Sequence, residues 1–169
     1  MWYVIQVRSR YETELAEQCR TKVLLPGEDV YVMYGERMFF RAESGWAKKK
    51  EVAFKGYLFV QTDDAEDLRK RLRKLHTMVK LLGVGDEPTP ISPEEEAFLF
   101  QLGGEEHVIA CSTGYKIGDR LVVTKGPMYG MEGYVKWTDR HRRMAGIEIE
   151  LLGRKMIVKL GCEILDHAR

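Results

Sequence analysis

A chain of 169 residues has room for one ordinary domain or two small ones, and its 44% hydrophobic and 31% charged residues suit a globular protein. No stretch approaches the ~20 apolar residues of a membrane-spanning helix, and Trp2-Tyr3-Val4-Ile5 opens the chain without the basic and apolar segments of a secretion signal. Cys19, Cys111 and Cys162 lie far apart with no zinc-ligand spacing, so a reduced, cytoplasmic protein without metal or other cofactor is expected.

The net charge of +1 is unevenly spread. From Gly114 onward there are eleven Lys/Arg against seven Asp/Glu, whereas residues 1–113 hold sixteen against nineteen. A basic C-terminal part behind a mildly acidic N-terminal part suggests different partners for the two.

Residues 2–7, aromatic and β-branched, predict a strand. Ser9 and Glu12 have the spacing of a capping box, so a helix is expected from there, with Leu15, Ala16, Cys19 and Val23 as its apolar face and Pro26-Gly27 as its end. Two extended pieces follow, 30–34 and 38–41, joined across Gly35-Glu36-Arg37, and then an exposed loop, 43–51, carrying Lys48-Lys49-Lys50. Phe54 and Tyr57-Leu58-Phe59-Val60 predict a second strand, interrupted by Lys55-Gly56. A helix over 65–76 has one apolar stripe, Leu68, Leu72 and Leu75, beneath a surface of Arg69, Lys70, Arg71, Arg73 and Lys74. After a strand at 78–83 and a turn-rich connector at 85–90, Ser92 caps a short helix with Pro93 at its first position.

The polar, glycine-containing stretch 104–113 reads as a linker. Beyond it come short strands at 120–124, 132–138, 145–152, 155–160 and 163–165, separated by turns at Gly126-Pro127, Asp139–Arg143, Gly153-Arg154 and Gly161. So many short strands in so short a segment suit a small closed barrel, which leaves no sticky edges. The sequence therefore predicts an α+β chain: an N-terminal domain over 1–103, a linker over 104–113 and a β-barrel over 114–169.

Three motifs occur in order along this plan. They are Trp2-Tyr3-Val4; Phe54-Lys55-Gly56-Tyr57-Leu58-Phe59-Val60; and Gly118-Asp119-Arg120-Leu121-Val122-Val123-Thr124-Lys125-Gly126-Pro127 with Gly133-Tyr134-Val135. Together they resemble the NusG family of transcription elongation factors. The resemblance implies an N-terminal NGN domain, an antiparallel sheet flanked by helices, linked to a C-terminal SH3-like KOW barrel. Lys55 replaces the family's proline, which is expected to alter a turn and spare the strand. Gly133 is expected to allow close backbone packing.

The resemblance also implies partners. The NGN domain of such factors grips the clamp helices of RNA polymerase, and Trp2, Tyr3, Phe54, Tyr57 and Phe59 match that surface. Phe54 and Tyr57 are favoured as exposed anchors, while Trp2 reads either as core or as contact. Tyr57 and Phe59 share one face of their strand and Leu58 and Val60 the other, so one face should be core and one a docking surface. Arg69, Arg71, Arg73 and Lys74 either contact upstream DNA or the non-template strand or form a solvated face that complements the helix dipole.

In the barrel, the family's usual aromatic contacts are replaced by Met128, Met131, Leu151 and Leu152, and a cluster Arg140-His141-Arg142-Arg143 is added. That combination resembles the specialised LoaP-type antiterminators, whose barrel recognises an RNA hairpin. Lys125, Lys136, Arg140, His141, Arg142, Arg143, Arg154 and Lys155 are then the nucleic-acid candidates, with Tyr129 and Trp137 as stacking rings. The alternative is a general NusG-type factor holding Rho or a ribosomal protein through Met128, Met131, Leu151 and Leu152. A ribosome-associated KOW protein is the alternative from another class. His76, His107, His141 and His167 are scattered and no catalytic motif occurs, so a monomeric, non-enzymatic protein is expected.

Overall fold

A computed structural model describes residues 1–166; His167 and the rest of the predicted barrel's C-terminal end lie outside them. In chain order the elements are β1 (Trp2–Gln6), α1 (Glu12–Gln18), β2 (Asp29–Tyr31), β3 (Tyr34–Arg41), β4 (Gly45–Val52), β5 (Tyr57–Gln61), α2 (Ala65–Arg71), β6 (Lys80–Leu81), β7 (Gly83–Val84), β8 (Glu87–Pro88), α3 (Pro93–Gly103), β9 (Val108–Ile109), β10 (Ser112–Ile117), β11 (Arg120–Lys125), β12 (Val135–Asp139), β13 (Met144–Leu151) and β14 (Arg154–Leu165). They form two compact units that do not follow chain order. Met1–Met33 with Phe54–Ala97 makes the first, and Tyr34–Ala53 with the chain from Phe98 onward makes the second.

In the first unit β1 lies between β5 and β6, with β2 on the far side of β5. The register pairs Tyr3 with Val60, Ile5 with Leu58 and Val30 with Val60, so these residues share one face, and all are buried. The opposite face carries Trp2, Val4, Tyr31, Tyr57 and Phe59, of which Val4 and Phe59 are buried outright. The helical stripes complete the core: Leu15 and Ala16 of α1, Leu68 of α2, and Leu72 and Leu75 beyond it are all buried, as the periodicity predicts.

The predicted capping box at Ser9 does not form. Tyr11 stands at the N-cap of α1 without a side-chain cap, and Glu12 turns inward instead. Its buried carboxylate accepts the Gly56 N–H at 2.8 Å, which ties the start of α1 to the turn before β5. That turn closes with Tyr57 N–H donating to Phe54 O, and Gly56 there has a φ of +87° with Val7 O only 3.3 Å from where a Cβ would sit. Lys55 thus leaves β5 intact, as expected. The second capping box does form: Ser92 Oγ accepts from Glu95 N–H, and Glu95 Oε1 accepts from Ser92 N–H.

In the second unit the expected loop 43–51 is strand β4, paired along its whole length with β3 from Tyr34↔Val52 to Arg41↔Gly45. The expected break at Gly35-Glu36-Arg37 is therefore continuous strand. A ribbon with so much exposed surface hides no regular apolar face, so its lysine run reads as loop. β9 adds to β3 in parallel, Tyr34↔Val108 and Gly35↔Ile109, so residues 108–109 of the predicted linker are sheet.

The barrel strands run in the order β11-β10-β14-β13-β12 among the described residues. β10 has no counterpart among the predicted strands, and the first three residues of the predicted strand 132–138 form instead a 3-10 turn, Glu132–Tyr134, with β12 starting only at Val135. Val123 N–H donates to Glu132 Oε1 at 3.0 Å, joining β11 to the turn that leads into β12. Gly133 has open space around it, so close packing is not its role. No turn occurs at Gly161. β14 runs straight through it, because a Cβ there would lie 2.5 Å from Glu36 O and 2.6 Å from Cys111 Sγ, and only glycine lets β3 approach.

Candidate nucleic-acid interface

The arginine-rich turn joins β12 to β13. Arg142 N–H donates to Asp139 Oδ1 at 3.0 Å and Arg143 N–H to Arg140 O at 3.3 Å, which closes the turn and leaves Arg140, His141 and Arg142 exposed. Arg143 has a φ of +52°, a conformation costly for any residue other than glycine, and Cys162 N–H donates to its carbonyl at 2.9 Å. Held so, the Arg143 guanidinium lies 4.0 Å from the centre of the Trp46 ring, a cation–π contact. Trp46 in β4 is itself braced by Phe40, its cross-strand partner, edge-on at 5.6 Å.

Around this stack is a cleft of about 430 Å³, lined by Trp46, Arg140, His141, Arg143, Glu163 and Asp166 among others. Arg140 pairs with Asp166. Arg143 Nη1 is 3.9 Å from Glu163 Oε1, a loose pair in which the carboxylate side chain stays 45% exposed. The cleft therefore offers a flat π surface, cations and one weakly engaged acceptor, the chemistry of a binding site. Among the described residues no three metal-binding side chains converge. Burial pushes the Cys19 and Cys162 thiols up to about 11, so neither is a thiolate nucleophile at neutral pH. Among the described residues no helix is long and apolar enough to cross a membrane.

The other predicted positions divide sharply. Lys125, Arg154 and Lys155 are exposed, and Lys136 and Lys155 sit 3.4 and 4.0 Å from Glu148. Tyr129 is exposed and Trp137 half-buried. Met128, Met131 and Leu151, predicted as a surface patch, are instead core at 0%, 3% and 2% exposure, because apolar side chains this close to the strands fill the barrel; Leu152 is half-buried. In the first unit Phe54 is 1% exposed and is core, not an exposed anchor, packed edge-on against the equally buried Phe59 at 5.6 Å. Tyr3 is buried on the opposite face of the sheet.

What remains accessible there is half-buried Trp2, Tyr31 and Tyr57. Trp2 meets Tyr31 edge-on at 5.0 Å, and Tyr31 stacks on Phe59 at 5.0 Å. Tyr31 and Trp46 were missed because nothing in the sequence links Tyr31 to Trp2 and Phe59, or Trp46 to Arg143. Glu163 was missed because nothing in the sequence links it to Arg143.

On α2, Arg73 and Lys74 are exposed and Arg69 is paired with Glu66 and donates to Asp86 O. Arg71 is not available to a phosphate. Its guanidinium donates to both carboxylate oxygens of Glu28 at 2.7 and 2.8 Å, to Asp67 at 2.8 Å and to Val23 O at 2.6 Å. Burial alone pushes the Glu28 carboxyl up, but hydrogen bonds from Arg71, Leu25 N–H and Thr62 outweigh it and hold the group down at about 2.

The family model described as "Transcription termination factor nusG" matches residues 1–99. The chain belongs to the NusG family. The transcription termination/antitermination protein NusG of Vibrio vulnificus is 26% identical over 165 residues, covering 94% of this chain and 91% of the relative. The NusG of Borreliella burgdorferi is also 26% identical, over 98% of this chain and 97% of its own length. Among solved structures, one described as "Domain interaction in Thermotoga maritima NusG" aligns with a TM-score of 0.55 at 22% identity, covering 95% of this chain and 92% of that one. The α+β fold, with an NGN-like part and a KOW-like barrel, is therefore that of NusG.

Proposed function

We propose that this NusG-family chain is an elongation and antitermination factor, joining RNA polymerase through the first unit's sheet and a nascent RNA hairpin through the basic turn of the second. The near full-length relatives from Vibrio vulnificus and Borreliella burgdorferi, named for termination and antitermination, support the first half. The half-buried rings Trp2, Tyr31 and Tyr57 on one sheet face suit the apolar side of a helix, since aromatic anchors contribute large area at low entropic cost. Seated on the polymerase clamp helices, the factor favours the closed, elongating enzyme. The shift is limited to its preference for that state, about 1–3 kcal/mol, enough to matter at a pause or terminator.

The observation that carries the RNA half is the convergence of Arg140, His141 and Arg143 with the Trp46 ring on one cleft. Arginine forks and stacking rings are what hairpin loops and phosphates need. The rival reading, a general factor holding Rho or a ribosomal protein, loses its expected contact patch, because Met128, Met131 and Leu151 are buried. These features favour a specialised, LoaP-like factor.

The test is reconstituted transcription with purified polymerase and the full chain, on templates with an intact or a scrambled leader hairpin before a terminator. Read-through only with the intact hairpin is expected. Equal read-through on both templates, or binding to Rho or to ribosomes in place of the leader RNA, would return the chain to one of the other two readings.

A further inference from the structure

We infer that the Trp46–Arg143 cleft is a base-specific slot that takes one unpaired guanine of the bound RNA; this rests on the RNA reading and adds the base it selects. An indole already capped by a guanidinium at 4.0 Å is a preassembled platform, and Arg143 is fixed there by its turn hydrogen bonds and by an unfavourable φ of +52°. A planar base laid on the guanidinium continues the stack without reordering either side chain.

The rim then discriminates. Guanine presents N1–H and N2–H side by side on its Watson–Crick edge and the acceptors O6 and N7 on the adjoining Hoogsteen edge. Glu163, in loose 3.9 Å contact with Arg143 and with its side chain 45% exposed, presents carboxylate lone pairs to two parallel N–H donors. Arg140 and His141, on the same cleft, are donors suited to O6 and N7. Adenine would place its N1 lone pair against the Glu163 carboxylate, and a pyrimidine offers a smaller stacking surface. A phosphate would meet two carboxylates at the rim, Glu163 and Asp166, so the cleft suits a base better than a backbone oxygen. The hairpin β3–β4 therefore contributes to RNA recognition by supplying Trp46 to a pocket whose cations come from the barrel.

The test uses the full chain and one hairpin RNA whose loop carries a single unpaired position filled in turn by guanine, inosine, adenine or uracil. Guanine should bind about tenfold to a hundredfold more tightly than adenine, as expected for a bidentate base contact, with inosine between them because it lacks the N2 donors. Glu163→Gln should collapse the guanine preference while leaving the salt dependence of binding unchanged. Trp46→Phe should weaken all four RNAs and keep their order. Equal affinity for the four loops, with salt-dependent hairpin binding intact, would overturn the guanine slot and leave the RNA reading standing. Absence of binding to every hairpin would remove both. Because the base series is read on the unaltered protein, a variant that misfolds leaves the outcome decided.

Discussion

Arg71 beyond Leu68 on α2 and Arg143 in the β12–β13 turn come from runs of similar composition, Arg69–Lys74 and Arg140–Arg143. Their surroundings differ in what they leave open. Arg71 donates to Glu28, Asp67 and Val23 O, so its charge is spent on holding the first unit together. Arg143 has one loose carboxylate at 3.9 Å and an indole beneath it, so its charge stays available to a ligand. The difference lies in how tightly each arginine is held and in what lies beside it, since Arg140 and Arg142 also have carboxylates near them. Neighbouring sequence does not report this, because Glu28 and Trp46 are distant in the chain from the arginines they meet.

The comparison is broken most severely by removing Arg71. Arg71→Ala leaves the Glu28 carboxylate, whose side chain is only 10% exposed, without its partner, and about 3 kcal/mol of stability should be lost, read from urea unfolding. Gly161→Ala should cost about 1–3 kcal/mol by the same measurement, since the added Cβ meets the backbone of Glu36. Arg143→Ala should do the opposite of Arg71→Ala: stability changes by about 1 kcal/mol or less, while hairpin affinity falls about tenfold or more.

The pH response of the first unit sharpens the contrast. The Glu28 carboxyl sits at about 2 in the folded chain against an ordinary 4.5, so the folded state binds its proton less readily than the unfolded state. Its contribution is present above pH 4.5 and is lost as the pH falls towards 2, and Glu28→Gln should flatten acid unfolding across that window. The smallest effect is expected from the joint change of Lys70, Arg73 and Lys74 to alanine. These exposed groups should alter stability by about 0.5 kcal/mol or less in total.

Much of this architecture is legible in the sequence, for identifiable reasons. β1 announces itself through Trp2-Tyr3-Val4-Ile5, and the stripe Leu68, Leu72 and Leu75 is buried as its spacing requires. Ser92 and Glu95 form their capping box, each side chain accepting the other's backbone N–H. Ser9 and Glu12 share that spacing, yet the Gly56 N–H outbids Ser9 for the Glu12 carboxylate. β4 is illegible because a ribbon carrying Lys48-Lys49-Lys50 has no apolar alternation. The candidate cleft is half legible: Arg140, His141 and Arg143 stand out as a cluster, whereas Trp46 and Glu163 join it only through long-range packing. Phe54 and Met128 show the limit from the other side, since an apolar residue beside a glycine turn looks the same whether it faces inward or outward.

The measurement that tests the central claim most directly is the affinity of the full chain for its leader hairpin across a salt series. It compares the unaltered protein, the triple Arg140→Ala, Arg142→Ala, Arg143→Ala variant, and the triple Lys70→Ala, Arg73→Ala, Lys74→Ala variant. The first triple is expected to lose hairpin selectivity and about tenfold or more in affinity, while the second binds as the unaltered protein does. Loss of binding in the second triple with the first unaffected would contradict that expectation and place the RNA on α2.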